Sequence, residues 1–274
     1  MSSINKPSII NPFDITNYNR TIEEKQMFII FAMAVAGKEA KGISFKVMDL
    51  IYNPIVKGFD KKLSLFENVK NLDKNIDPYE YFYVNTIGFN NDIIFNNDKS
   101  LKTPFEILKS FYDSQCMDQE LKRVKLGKYA LLNKGYTLLG KGELNLYGNE
   151  AMEPGSYEKI PGISFKSSRF FILHSYKNSE IAVLDTHILK FLRLIGVKEC
   201  ENVFQTPSSL KVYLEIEKKF LEILNGLRTN SLKVKIRNSI LERLGDYLPE
   251  DLENLSASDF DFAIWKFSKT ASSD

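Results

Sequence analysis

The sequence predicts an all-α fold, and three observations support this prediction. Apolar residues recur at helical spacing in nearly every periodic stretch of the 274-residue chain. Helix-start signals precede two of these stretches: a capping box from Thr21 to Glu24, and the pair Thr103-Pro104. Turn-forming residues separate the stretches, as in the Asn- and Asp-rich loop at 86–100. The hydrophobic content of 43% is ordinary for a globular protein, and a chain of this length can bury a large core.

The helices are predicted in chain order from these signals. The apolar run MFIIFAMAVAG is too short and too closely flanked by charge to cross a bilayer, so we predict a core helix from Thr21 to about Ala36. Gly42 is predicted to separate this helix from a second one, which runs through Ile51. Later helices are predicted at 103–116, 118–139, 164–174, 186–195, 207–226, 231–246 and 256–268.

The segment YEKIPGISFK predicts two helices joined by a tight turn. A helical turn at residues 157–159 is halted by Pro161 and Gly162, and a new helix begins near Ser164. The N–H groups of Gly162, Ile163 and Ser164 then lie as unpaired donors at a helix N-terminus, which favours a phosphate. The pattern is typical of a helix-hairpin-helix, which holds a nucleic-acid backbone without reading its sequence.

Two residues near this turn indicate chemistry that phosphate binding does not need. Lys166 lies at the start of the second helix, and Asp185 precedes the apolar run ILKFLRLI at the position of a helix N-cap. An attacking amine and a carboxylate that stabilises positive charge on a sugar suit the cleavage of an N-glycosidic bond. Taken singly, the same residues are equally typical of a solvated lysine and an ordinary capping aspartate. His174 and His187 are predicted to be structural.

With IPGISFK followed by AVLDTHI, the chain resembles the helix-hairpin-helix DNA glycosylases, the superfamily of endonuclease III and 8-oxoguanine glycosylase. The resemblance is specific over residues 157–193. It places Lys166 on the nucleophile position of the bifunctional glycosylase/lyases and Asp185 on the position of their essential carboxylate. Ser164 departs from the family, whose hairpin has a second glycine here, and a serine requires a backbone conformation open to residues with a Cβ.

This resemblance implies an architecture of two helical lobes with a cleft between them. A central lobe would span 38–182 and contain the helix-hairpin-helix at about 157–174. The second lobe would be formed by both ends of the chain, 1–37 plus 183–274. Asp185 would then face Lys166 across the cleft, into which a base must be flipped because the duplex stack hides its glycosidic bond.

The implied activity is that of a bifunctional DNA glycosylase and abasic-site lyase acting in base excision repair. It would excise a damaged or modified base, with 8-oxoguanine the first choice, through a Schiff base on Lys166 and β-elimination. The resemblance implies that the residue filling the hole left by the flipped base lies near residues 36–39, where the family's Gln or Asn is absent and Lys38 is the candidate. The residues expected to contact DNA are Pro161, Gly162, Ile163, Ser164 and Lys38.

Composition limits the cofactors and the cellular setting. Cys116 and Cys200 are the only cysteines and form no CxxC pair, which excludes the four-cysteine iron–sulfur cluster of typical endonuclease III proteins. We therefore expect no cofactor, although a monovalent cation at the hairpin is compatible with the resemblance. Two free thiols and no signal sequence predict a cytoplasmic protein, associated with the nucleoid if the source is bacterial.

The expected partner is double-stranded DNA that contains a damaged or modified base, bound by a monomer with no membrane association. The net charge of +2 does not by itself indicate a nucleic-acid binder. Local basic clusters at 122–134 and 233–237 are more informative, because they concentrate positive potential on part of the surface.

Three alternatives remain open at this point. The cleft chemistry could serve another modified base, such as an oxidised pyrimidine or a hypermodified base. A non-catalytic helix-hairpin-helix protein could use the turn only to bind phosphates. A helical interaction scaffold needs no DNA at all. The C-terminal segment SDFDFAIWKF offers side chains that could contact a base, but core packing is the expected role for most of them. These side chains are Phe260, Asp261, Phe262 and Trp265.

Overall fold

The computed structural model describes residues 10, 15–35, 40–52, 60, 62–72 and 103–270. Among these residues every regular element is a helix, which confirms the predicted all-α class. No helix in the described ranges combines the length and the apolar character needed to cross a bilayer. Lys38 and the predicted loop at 86–100 lie outside the described residues.

The chain divides into two compact units, Met1–Ile163 and Ser164–Asp274. Each unit has its own set of packed helices. The predicted division into lobes, 38–182 against 1–37 plus 183–274, stays a prediction.

In the first unit, the core is built around a helix that is buried on every side. The helices of this unit are α1 (Ile22–Val35), α2 (Ala40–Tyr52), α3 (Leu65–Leu72), α4 (Pro104–Asp113), α5 (Met117–Arg123), α6 (Tyr129–Gly140) and α7 (Pro154–Glu158). The predicted capping box opens α1, where the Thr21 N–H donates to Glu24 Oε2 at 2.7 Å. Residues 27–34 are all buried, and α1 packs against α2, α4 and α6. A helix buried all round is typical of a domain core, so the predicted core helix is confirmed.

The single helix predicted at 118–139 is wrong, because the chain breaks it into α5 and α6. Lys125, Gly127 and Lys128 have φ angles of 55°, 74° and 49°. This left-handed conformation cannot continue a right-handed helix. The sequence signal was Gly127, but two lysines adopt the same conformation and carry no such signal.

Two cations of the basic cluster at 122–134 form ion pairs within the first unit. Lys122 Nζ lies 2.6 Å from Asp118 Oδ2, one turn earlier in α5. Arg123 Nη1 lies 2.6 Å from Asp49 Oδ1 of α2 and is largely buried there. Arg123 is thus engaged within the first unit, whereas Lys122 remains exposed, and contact of this cluster with phosphate stays a prediction.

In the second unit, the last helix is the centre of the packing. The helices here are α8 (Phe165–Ser175), α9 (Thr186–Leu194), α10 (Leu210–Arg228), α11 (Val234–Leu244) and α12 (Ala257–Thr270). Helix α12 packs against α8, α9, α10 and α11, with Phe260, Ala263 and Ile264 fully buried. Because α8 and α9 begin at the segments that carry Lys166 and Asp185, α12 supports both candidate residues.

Two details of the earlier predictions need correction. Gly42 lies inside α2 and does not separate helices, since a glycine in a helix costs only about 1 kcal/mol relative to alanine. The helix predicted at 207–226 begins instead at Leu210. Thr206, read as its start signal, donates its Oγ1 hydrogen to the Leu184 carbonyl at 2.8 Å and so serves a tertiary contact.

Candidate active site

The turn before the site requires a glycine. Helix α7 begins at Pro154, earlier than the predicted start at residue 157, because proline suits the first position of a helix. After α7 the chain turns through Gly162, which has a φ of +92°. This conformation is rarely open to residues with a Cβ. The Ile163 N–H donates to the Ile160 carbonyl at 3.0 Å and closes the turn.

Ser164 fits the position where the resemblance expects a glycine. Its φ of −91° and ψ of 169° are extended, so its side chain causes no backbone strain. Ser164 is the N-cap of α8: its Oγ accepts from the Ser167 N–H at 3.2 Å, and its own N–H donates to Ser167 Oγ at 3.2 Å. The prediction that the N–H groups of Ile163 and Ser164 are unpaired is therefore wrong. Their contact with phosphate stays a prediction.

Within the first unit, Gly135 of α6 lets the turn approach closely. A Cβ added at Gly135 would lie 2.1 Å from the Pro161 carbonyl oxygen and 2.4 Å from Met33 Cε. The backbone oxygen cannot move aside without moving the turn. Gly135 thus fixes the position of Pro161 against α6.

We expect Gly135→Ala to lower the free energy of unfolding by about 1–3 kcal/mol through overpacking. A matched control is Gly42→Ala in α2, where an added Cβ would meet no atom within 4 Å. Alanine there should instead stabilise the protein by roughly 0.5–1 kcal/mol. Urea denaturation of both variants measures the change in the free energy of unfolding, which should be a decrease for Gly135→Ala and an increase for Gly42→Ala. An unchanged or increased stability of Gly135→Ala would contradict the close contact.

The second unit brings the two predicted catalytic residues together. Lys166 Nζ lies 4.0 Å from Asp185 Oδ2. The Lys166 side chain is 35% exposed and that of Asp185 is 21% exposed, so the pair is accessible to a ligand. Asp185 lies nineteen positions after Lys166, and the interval is spanned by α8 and the irregular segment that follows it. An amine and a carboxylate therefore reach the same small region of surface.

Asp185 is held in place by the helix that it caps. Its Oδ1 accepts from the His187 N–H at 2.8 Å and from the Ile188 N–H at 3.0 Å. This confirms the predicted N-cap, and the N-terminal end of a helix dipole favours negative charge. With Oδ1 engaged by α9, Oδ2 is the oxygen nearer Lys166. One oxygen of Asp185 thus caps α9, and the other lies near the Lys166 amine.

A buried ion pair fixes the helix that carries Lys166. Arg169 Nε lies 2.8 Å from Glu217 Oε1 of α10, and both side chains are almost fully buried. Glu217 Oε1 also accepts from the Ala182 N–H at 2.9 Å. Arg169 Nη1 donates to the Phe165 carbonyl at 3.2 Å, beside Lys166. One carboxylate therefore joins the start of α8 to the segment that leads to Asp185.

Tyr213 completes the support of that segment. Its hydroxyl donates to the Ala182 carbonyl at 2.9 Å and accepts from the Leu184 N–H at 3.0 Å. Burial raises the pKa of the Tyr213 hydroxyl far above its ordinary value, so this group stays protonated as a donor. The ring lies against the Arg169 guanidinium, whose carbon is 4.5 Å from the ring centroid. Tyr213 therefore holds the backbone just before Asp185 through both a carbonyl group and an N–H group.

Sequence reasoning missed Arg169, Glu217 and Tyr213. The available signal for Arg169 was its own charge, since it lies next to the apolar run of α8. Nothing in the sequence indicated its partner, which lies 48 positions away in α10.

The predicted structural histidines have contacts that agree with that role. His187 Nδ1 lies 2.7 Å from Ser268 Oγ, which ties α9 to α12. His174 is buried, and its ring packs edge-on against Phe170 with centroids 4.9 Å apart.

An exposed aromatic pair lies on α12, where core packing was predicted. Phe260 is buried as expected, but Phe262 and Trp265 are 45% and 41% exposed. Their rings stack with centroids 6.2 Å apart and planes within 7°. Lys266 Nζ lies 4.6 Å from the Phe262 centroid, and Lys269 Nζ lies 5.5 Å from that of Trp265. Aromatic faces beside cations are the composition of surfaces that stack nucleobases.

The thiols do not form a metal site. In the described part of the chain, no three His, Cys, Asp or Glu side chains are grouped so as to hold a metal ion. Cys116 and Cys200 are both free. Burial raises the pKa of the Cys200 thiol to about 11, so it is not a ready nucleophile.

Comparison of the chain with protein-family models, with curated proteins and with solved structures gives no match.

Proposed function

We propose that this chain is a bifunctional DNA glycosylase and abasic-site lyase that excises a damaged or modified base, with 8-oxoguanine as the first substrate to test. The observation that carries the proposal is the 4.0 Å approach of Lys166 Nζ to Asp185 Oδ2. Both side chains are partly exposed. Asp185 is fixed by backbone N–H groups of α9, and the helix that carries Lys166 is held by the buried pair of Arg169 and Glu217. A pair of this kind combines a nucleophile with a carboxylate that opposes developing positive charge.

In the proposed reaction, the amine of Lys166 attacks C1′ of the damaged nucleotide. The Nζ–C1′ bond forms and the C1′–N bond to the base breaks, with the base leaving as the acceptor of the electron pair and then of a proton. Nζ gives one proton to solvent and the other to O4′ as the C1′–O4′ bond breaks, which gives a Schiff base. Removal of a C2′ proton then expels the 3′ phosphate by β-elimination, which cuts the strand.

Asp185 has the electrostatic role in this scheme. Positive charge develops on the sugar as the base departs, and a fixed carboxylate oxygen near Lys166 stabilises that charge. Its orientation needs no rearrangement during the reaction, because α9 already holds the other oxygen. The ion pair of Arg169 with Glu217 holds the helix that carries Lys166.

The finer architecture belongs to the same proposal. Two helical lobes would enclose a cleft that receives a flipped base, and the turn at 161–164 would bind the DNA backbone as a helix-hairpin-helix. The exposed pair of Phe262 and Trp265, with its lysines, supports contact with a base or a distorted strand. The partner would be double-stranded DNA bound by a monomer. Lys38 is the proposed residue for the hole left in the duplex.

Replacing Asp185 by asparagine tests the charge separately from the cap. Asparagine is as good an N-cap as aspartate, so the stability of α9 should change little. Base excision should slow by about 100- to 1,000-fold, the usual effect of removing a group that stabilises the transition state. Single-turnover kinetics on a lesion duplex measure the loss, and circular dichroism checks the fold. Excision at the wild-type rate would remove Asp185 from the mechanism.

A panel of lesion duplexes tests the function itself. Duplexes with 8-oxoguanine, an oxidised pyrimidine, a hypermodified base and an abasic site separate the possible substrates, with base release and strand cleavage scored independently. Cleavage of at least one member is expected. Salt-dependent binding without cleavage of any member would instead identify a non-catalytic DNA-binding protein.

A further inference from the structure

Asp261 is a third carboxyl group supported by the same helices as Lys166 and Asp185. It lies on α12, which packs against α8 and α9. The residue is half-buried, yet its Oδ1 is sealed from solvent. Within the described part of the chain, this oxygen has no hydrogen-bond partner. Its neighbours Phe260 and Ile264 are fully buried in the core, so the carboxyl lies at the edge of an apolar region.

This environment differs sharply from that of Asp185. Burial is the main cause that raises the pKa of Asp261 well above its ordinary value, and the negative charge of Asp185 adds to the shift. The positive charge of Lys166 acts in the opposite direction and is the smallest of the three effects. Tyr213 on α10 also interacts electrostatically with Asp261. The charged or titratable groups that influence Asp261 therefore come from α8, the start of α9, and α10.

A buried carboxyl oxygen without a donor destabilises a fold, because it loses water and gains nothing in return. Such groups in native proteins call for an explanation, and they are concentrated at functional sites. The two aspartates also have contrasting environments, as the acid and the base of a catalytic site usually do. Asp185 is satisfied by backbone donors that favour negative charge, whereas Asp261 is in surroundings that favour the neutral acid.

We propose that Asp261 is the proton donor of this site and that it protonates the base as the C1′–N bond breaks. The inference rests on the proposed glycosylase function and deepens it. As Lys166 bonds to C1′, the departing base takes the electron pair of the broken bond and the proton of Asp261. Nζ of Lys166 then gives one proton to solvent and the other to O4′ as the C1′–O4′ bond breaks. Solvent returns a proton to the Asp261 carboxylate, so Asp261 takes no part in Schiff-base formation.

Two substrates separate this role from a structural one. A lesion duplex has a base to protonate, whereas a preformed abasic duplex has none. Asp261→Asn should slow single-turnover release of 8-oxoguanine, or of whichever base the wild type excises, by about 100-fold or more. It should leave borohydride trapping and strand cleavage on the abasic duplex within a few-fold of wild type. The matched control is Asp259→Asn on the exposed side of α12, which should affect neither reaction.

The pH profile provides a second test that needs no variant. Base excision by the wild type should fall as pH rises through the pKa of Asp261, because the donor is then lost. Strand cleavage of the abasic duplex by the wild type should lack that fall. This test remains available if Asp261→Asn does not fold.

Stability gives a readout independent of catalysis. Folding raises the pKa of Asp261, so its contribution to stability is complete below the unfolded pKa of about 3.9 and is lost as pH rises through the folded pKa. Asparagine has no proton to lose. Asp261→Asn should therefore become increasingly stable relative to wild type as pH rises through that window, while it loses excision activity.

The outcomes are distinct. Loss of base release with retained abasic cleavage, together with the pH-dependent gain in stability, supports the proton donor. If an active wild type and Asp261→Asn release the base at equal rates with the same pH profile, the acid role is overturned and the glycosylase function stands. Equal losses on both substrates also overturn it, because they indicate a structural role. A wild type that opens neither a lesion duplex nor an abasic duplex overturns the proposed function and the acid role with it.

Discussion

Replacement of Lys166 by alanine is expected to reduce base excision by a factor on the order of 10³ or more, since the substitution removes the attacking amine altogether. Strand cleavage at an abasic site should fall with it. Affinity for the lesion duplex should change little, because Lys166 contributes a nucleophile and not a phosphate contact. Single-turnover kinetics measure base excision and strand cleavage, and equilibrium binding to the same duplex measures affinity.

The control for this prediction is Lys177→Ala, which removes an exposed lysine just beyond the end of α8. It should excise at the wild-type rate. A Lys166→Ala protein that cleaves lesion DNA as fast as this control would show that another group is the nucleophile.

The second large effect is expected from Glu217→Ala. This change removes the carboxylate that pairs with the buried Arg169 guanidinium and that accepts from the Ala182 N–H. Breaking a buried ion pair on one side typically costs about 3–5 kcal/mol, far more than the loss of a surface pair. Because Glu217 joins the start of α8 to the segment before Asp185, excision should also fall. Urea denaturation and excision kinetics test the two effects.

Glu215→Ala on the same helix is the matched control, since Glu215 is exposed and should change the unfolding free energy by less than about 0.5 kcal/mol. Similar stabilities for the two variants would mean that the ion pair does not support the site.

Local signals predicted much of the fold because caps and turns depend on neighbouring residues. Thr21, Ser164 and Asp185 are all helix starts as predicted, and each is satisfied by a donor or acceptor within three positions. The errors arise where distant contacts decide the outcome. Thr206 resembled a start signal, but its hydroxyl bonds to Leu184, 22 positions away.

The candidate site was predictable only in its two central residues. Lys166 and Asp185 lie in a recognisable segment, and the structure brings them within 4.0 Å. The residues that support them come from α10 and α12, so no local pattern could reveal the link. In the sequence, Asp261 stands out only together with its aromatic neighbours, for most of which core packing was the expected role. Its surroundings become apparent only when α12 is packed against α8 and α9.

The most direct test of the catalytic claim is borohydride reduction during the reaction of the wild-type protein with a lesion duplex, followed by mass spectrometry of the digested adduct. Reduction converts the Schiff base into a stable amine, so the modified peptide identifies the nucleophile. We predict a single DNA-linked peptide, with the modification on Lys166. An adduct on any other residue, or base release with no trapped adduct, would contradict the account.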